Sequence, residues 1–191
     1  MMRRLVGSEM CIRDRFDMGP YYLTALVKAL GPIQEVIGYS KKTFEKRNVE
    51  NPEVDYREIN VDIDTHYFGL LKFKSGIIID FQVTFDIWKP YDPKLEIYGD
   101  NSSLKLADPN NYDGEIFIFD KDLYQWELIY SSTDSQNNFY RGLGVVNMVK
   151  AIKNNTVSED ELSVPFHILE VMCSLDSYNL DSGWKKIIQQ F

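Results

Sequence analysis

Asp17-Met18-Gly19-Pro20-Tyr21-Tyr22-Leu23-Thr24-Ala25-Leu26-Val27-Lys28-Ala29-Leu30-Gly31-Pro32 places a helix start, an amphipathic run and a helix stop within sixteen residues. Leu23, Leu26, Val27 and Leu30 recur at the spacing of one helical face. Pro20 suits a first helical turn, and Gly31-Pro32 supplies the stop. Asp17 and Tyr21 are left as a polar pair at the helix entrance. A simpler reading is that Asp17 caps the helix and Tyr21 packs under a sheet.

Downstream the periodicity changes. Strands are expected near 33 to 45, 63 to 74, 77 to 86, 93 to 99, 102 to 107, 115 to 119 and 126 to 130. In Ile77 to Phe85 the odd positions are all apolar while Asp80, Gln82 and Thr84 share the other face, the pattern of a strand buried on one side. Lys74-Ser75-Gly76 reads as the hairpin turn before it. The preceding run, His66 to Phe73, is apolar on both faces, with Phe68, Leu70, Leu71 and Phe73 unable to share one core. One face of that sheet is therefore expected under helices and the other against a partner. Helices return at Val145, Met148, Val149 and Ile152, and again at Ile168, Val171, Met172 and Leu175. Ser163 is the expected cap of the second and Pro165 sits in its first turn, and both helices are expected to pack on the sheet. Helix, run of strands, then helices defines an α+β class with an open, mainly antiparallel sheet and helices on one face.

Residues 1–15 (MMRRLVGSEMCIRDR) show no useful periodicity and resemble a recurrent artefact of translated sequencing-adapter reads; a disordered basic arm is the competing reading. The run is too charged at its end and too short in its apolar stretch for a secretory signal. Residues 16–191 then form one domain of ordinary size. The whole chain has a formal charge of −8; without the arm, 17 basic face 27 acidic residues. Such a surface repels nucleic-acid phosphates and anionic lipid. No apolar run approaches the ~20 residues of a membrane span. With Cys11 in the arm, Cys173 stands alone, so a reducing cytoplasm is the expected setting. His66 and His167 are the only histidines, too few for a metal cluster, and each is read as a structural hydrogen-bonding residue. Gly142-Leu143-Gly144 lacks the third Gly and the preceding strand of a dinucleotide fingerprint and is read as a helix start.

The opening segment resembles the start of the C-terminal domain of the Gfo/Idh/MocA oxidoreductases, sugar and cyclitol dehydrogenases in which an Asp-x-Gly-x-His helix start carries active-site side chains. Tyr21 stands where the family usually has His. Gly99 to Asn110 (GDNSSLKLADPN) resembles the family's Gly-x-x-Gly-x-Leu hairpin ending in Pro-Asn, with Ser102 in place of a common Gly. Phe139 to Gly142, Met148 to Ile152 and His167 to Met172 resemble its closing helices. The family's nucleotide-binding domain, with its Gly-rich turn and Glu-Lys-Pro lysine, has no counterpart in the sequence.

The resemblance implies a parent enzyme that moves hydride between NAD or NADP and a sugar or polyol hydroxyl. Asp17 would orient substrate hydroxyls or a neighbouring lysine, and Tyr21 would exchange the hydroxyl proton. Trp88 is a candidate aromatic wall over a sugar face, against partly buried packing as the plainer reading. Tyr140 and Arg141 are candidates for reaching substrate oxygens, against a surface salt link. Without the other half, this stretch is expected to bind no nicotinamide, to be inactive alone, and to form a homodimer or tetramer through its sheet. A self-standing binding or dimerisation domain with no redox role is the alternative.

Overall fold

The computed structural model describes residues 15–48, 58–87, 95–111, 113–132, 142–156, 160–175 and 183–191. The chain divides into two compact units, residues 1–87 with 159–191, and residues 88–158.

The first unit opens with α1 (Arg15–Leu30). Its start lies five residues before Pro20, so the proline sits inside the helix rather than in its first turn. There its missing N–H forfeits one hydrogen bond near the helix start, where the carbonyls it would serve are still close to the end. Leu23, Leu26 and Val27 are buried as the periodicity requires. Gly31 ends the helix at φ +87°, its N–H donating to the Val27 carbonyl at 2.9 Å, a conformation that costs glycine nothing.

β1 (Ile33–Lys41), β4 (His66–Phe73), β5 (Ile78–Thr84) and the two-residue β10 (Lys185–Lys186) form an antiparallel sheet in the order β10-β1-β4-β5. The turn Lys74-Ser75-Gly76 joins β4 to β5, with Phe73 N–H donating to the Ile77 carbonyl and Gly76 at φ +91°. Tyr67, Leu71, Phe73, Phe81 and Val83 point into the core beneath α1 and α3 (Asp160–Ser174). Gln82 and Phe68 lie on the opposite, open face. Helix α3 begins at Asp160, three residues ahead of the expected cap Ser163, and places Pro165 in its interior. β1 ends at Lys41, short of the expected residue 45, and a short antiparallel pair follows, β2 (Lys46–Asn48) with β3 (Glu58–Asn60).

The glycine pair Gly38 and Gly69, opposite each other in β1 and β4, decides how closely α3 can approach. A Cβ on Gly38 would lie 2.8 Å from Leu175 Cδ2, and one on Gly69 would lie 2.5 Å from the Ile37 carbonyl oxygen and 2.8 Å from the same methyl. Leu175, fully buried, therefore sits directly on the backbone of two strands.

In the second unit, β6 (Glu96–Tyr98), β7 (Ser103–Lys105), β8 (Gly114–Asp120) and β9 (Gln125–Ser132) form a meander in sequence order. Its first turn is closed by Gly99 N–H donating to the Ser102 carbonyl at 2.9 Å. Helix α2 (Leu143–Asn154) starts at Gly142, its N-cap, as read from Gly142-Leu143-Gly144. It buries none of its residues, and Val145, Met148, Val149 and Ile152 are all exposed. The expectation that both closing helices pack on the sheet holds for α3 and not for α2. Periodicity fixes which face of a helix is apolar, not what covers it.

Candidate functional site

Asp17 and Tyr21 lie one turn apart on α1, a spacing that brings side chains onto the same face about 5–6 Å apart at Cβ. Asp17 is half-buried and Tyr21 is 43% exposed, so the phenol points away from the sheet core. Between them Gly19 is buried against α3, the Met172 sulfur 3.1 Å from where a Cβ would stand. That contact, with Leu23 one turn on, fixes the rotation of α1 and so the direction in which Tyr21 faces. A carboxylate and a phenol at the positive end of a helix can accept and donate hydrogen bonds to vicinal hydroxyls.

Of the other expected site residues, Trp88, Tyr140 and Arg141 lie outside the described residues. His66 is half-buried on the open face of the sheet, its Nε2 3.5 Å from the Gln82 amide. His167 is fully buried and structural: Nε2 accepts from the Ile33 N–H at 3.0 Å, and the opposite nitrogen, Nδ1, lies 2.5 Å from the Gln189 carbonyl. An acceptor at Nε2 leaves Nδ1 to donate, so both ring nitrogens are committed within the chain.

A polar cluster that the sequence did not announce sits at the end of β5. The Asp86 carboxylate accepts from Thr43 Oγ1 at 2.5 Å and Thr65 Oγ1 at 2.8 Å and pairs with the Arg47 guanidinium. Both charged side chains are largely buried, and the Phe44 ring covers the guanidinium at 5.6 Å. Nearby, Ser40 Oγ donates to Asp64 at 2.6 Å. Both oxygens of the Asp86 carboxylate are engaged from within the chain, which marks the cluster as a brace for the β2–β3 hairpin, although the buried Arg47 Nε has no hydrogen-bond partner among the described residues. The partners come from three separated segments, so no local motif signals them. Two titrations are displaced elsewhere: the Glu58 hydrogen bond raises Lys46, and the Glu96 hydrogen bond raises Tyr98. Both lie on strand hairpins rather than on α1.

Among the described residues no group of three or more His, Cys, Asp or Glu side chains could hold a metal ion, and no helix is long and apolar enough to cross a membrane. A dinucleotide needs a parallel strand, a Gly-rich turn and a helix N-terminus in succession. Every strand pairing described here is antiparallel, and a Cβ on Gly142 at the start of α2 would meet no other segment within 4 Å. The described residues therefore do not fit a nicotinamide dinucleotide.

The described residues thus form an α+β fold with a carboxylate and a phenol on the helix that lies over an antiparallel sheet. Residues 15–105 match the model of the GFO/IDH/MocA C-terminal domain family. Its fold is similar to levoglucosan dehydrogenase in the apo form, with a TM-score of 0.66 at 12% identity over 92% of this chain and 51% of that one. The same enzyme in complex with NADH and levoglucosan aligns at 0.63 and 12% identity, over 91% and 50%. An oxidoreductase domain protein from Kribbella flavida aligns at 0.60 and 19% identity, over 92% and 51%. The chain thus spans about half the length of these structures. No curated protein matches it in sequence.

Proposed function

We propose that this chain is the substrate-binding and oligomerisation part of an NAD(P)-dependent dehydrogenase of sugars or polyols, working in the cytoplasm with a nucleotide-binding domain supplied from sequence upstream. The observation that carries the reading is the exposed Tyr21 beside Asp17 on the helix that opens a GFO/IDH/MocA C-terminal domain. The sugar-and-nicotinamide complex of a structure sharing the fold supports the substrate class. When bound, the nicotinamide supplies the hydride acceptor. Asp17 orients the substrate hydroxyls and Tyr21 exchanges the hydroxyl proton. The open sheet face, carrying Tyr39, Phe68 and Ile78 at 40%, 46% and 58% exposure, pairs with a second copy. Alone, the chain turns over nothing.

The test joins the chain to its upstream reading frame and follows NAD(P)H formation with a panel of sugars and polyols. Tyr21→Phe should lower kcat by about 10²–10⁴-fold, the range of a general acid or base, while shifting Tm little because the phenol is exposed. Undiminished turnover in Tyr21→Phe would remove Tyr21 from the chemistry.

A further inference from the structure

The segment after α3 is held by contacts that strand propensity does not explain. β10 contributes two ladder pairs to β1, Glu35 with Lys186 and Val36 with Lys185, and Ile187 N–H donates to the Gln34 carbonyl at 2.9 Å. Beyond Ile187 the side chains of α3 take over from the sheet. Glu170 accepts the N–H groups of Ile188 and Gln189, one on each carboxylate oxygen, both at 2.8 Å. His167 Nδ1–H donates to the Gln189 carbonyl, and the Gln190 amide donates to the Ile33 carbonyl at 3.1 Å. The Phe191 ring stands edge-on to the His167 ring at 5.3 Å.

Nearly all of these contacts read peptide backbone. The one apolar anchor among residues 183–191 is Ile187, 5% exposed, while its neighbour Ile188 is 88% exposed. Backbone hydrogen bonds along a sheet edge with one side-chain pocket are how an extended peptide adds to a sheet. A segment held by a single buried isoleucine and a few hydrogen bonds belongs to the low-cost end of local openings.

We propose that residues 183–191 are a releasable strand in a peptide-binding groove lined by Ile33 to Val36 of β1 and by His167 and Glu170 of α3, and that the groove accepts the same segment of a second copy of the chain. The groove's demands are an isoleucine, two successive amide donors and a glutamine three residues on, and this chain's own segment meets them all. Exchange of an identical element between copies needs no new contact. The proposal is independent of the nicotinamide reading and of pairing through the open sheet face.

The test titrates a fluorescein-labelled peptide of residues 183–191 into the full chain and reads anisotropy. Ile187→Asp in the chain frees the groove, so the folded variant should bind the peptide at least tenfold more tightly than the parent chain. Adding Glu170→Gln, which puts an amide donor against two amide donors, should weaken that binding at least tenfold. A peptide carrying the same Ile→Asp change should bind neither chain. If circular dichroism shows that Ile187→Asp does not fold, Gln190→Ala, which loosens an exposed contact, takes its place with the same expected order. No saturable binding to a folded variant, or equal binding of both peptides, would overturn the proposal.

Discussion

Gly69 shows how much one hydrogen atom in place of a methyl group decides in this sheet. Any Cβ there meets the Ile37 carbonyl and the buried Leu175, neither of which has room to retreat. Gly69→Ala should therefore lower stability by about 1–3 kcal/mol, the usual cost of overpacking. Gly144→Ala, in open space within α2, should be neutral or stabilising by about 0.5–1 kcal/mol. Paired thermal or urea melts give the comparison, and an equal response would show that the Leu175 contact is slack. At this scale the sequence was readable wherever the signal is local. Gly31 as a helix stop and Asp17 with Tyr21 on one helix face follow from spacing alone. The close approach at Gly38 and Gly69 depends on Leu175, more than a hundred residues away in the chain, and left no local trace.

At the scale of elements, long segments with one buried face announced themselves. In β5, Phe81 and Val83 are buried and Gln82 is exposed, as alternation requires. The short strands did not. β2, β3 and β10 have three, three and two residues, too few for a period, and β10 is Lys-Lys, paired to β1 and followed by residues that Glu170 and His167 hold from a distant helix. The Asp86 brace was hidden for the same reason, since Thr43, Arg47 and Thr65 reach it from other segments. Removing its centre leaves a largely buried guanidinium without a carboxylate. Asp86→Ala should then cost about 3–5 kcal/mol and loosen the β2–β3 hairpin, read as a lower unfolding midpoint with earlier cleavage between residues 42 and 64 in limited proteolysis. An unchanged midpoint would mean that the pair contributes no more than an exposed ion pair does.

For the whole molecule, the sequence pattern indicated the α+β class and the helix-covered sheet, and the structure adds that the strands fall into two units. The open face of the first sheet is mixed: Phe68 and Ile78 stand beside the Glu35–Lys72 pair at 2.9 Å and the polar Gln82. A face of this kind suits a specific, self-complementary contact, which needs more than about 1,200 Å² in total to be stable. Sedimentation at tens of micromolar should show a dimer, and Phe68→Asp should shift it toward monomer without changing the circular dichroism spectrum. A strictly monomeric parent chain would assign the face to solvent.

The central claim, that this domain supplies the substrate side and borrows its nucleotide site, is tested most directly by calorimetric titration of NAD and NADP. The account predicts no measurable heat of binding with residues 16–191 alone and micromolar binding of one nucleotide once the upstream domain is joined. Micromolar binding by residues 16–191 alone would contradict it and would require a nucleotide site of another kind within this antiparallel fold.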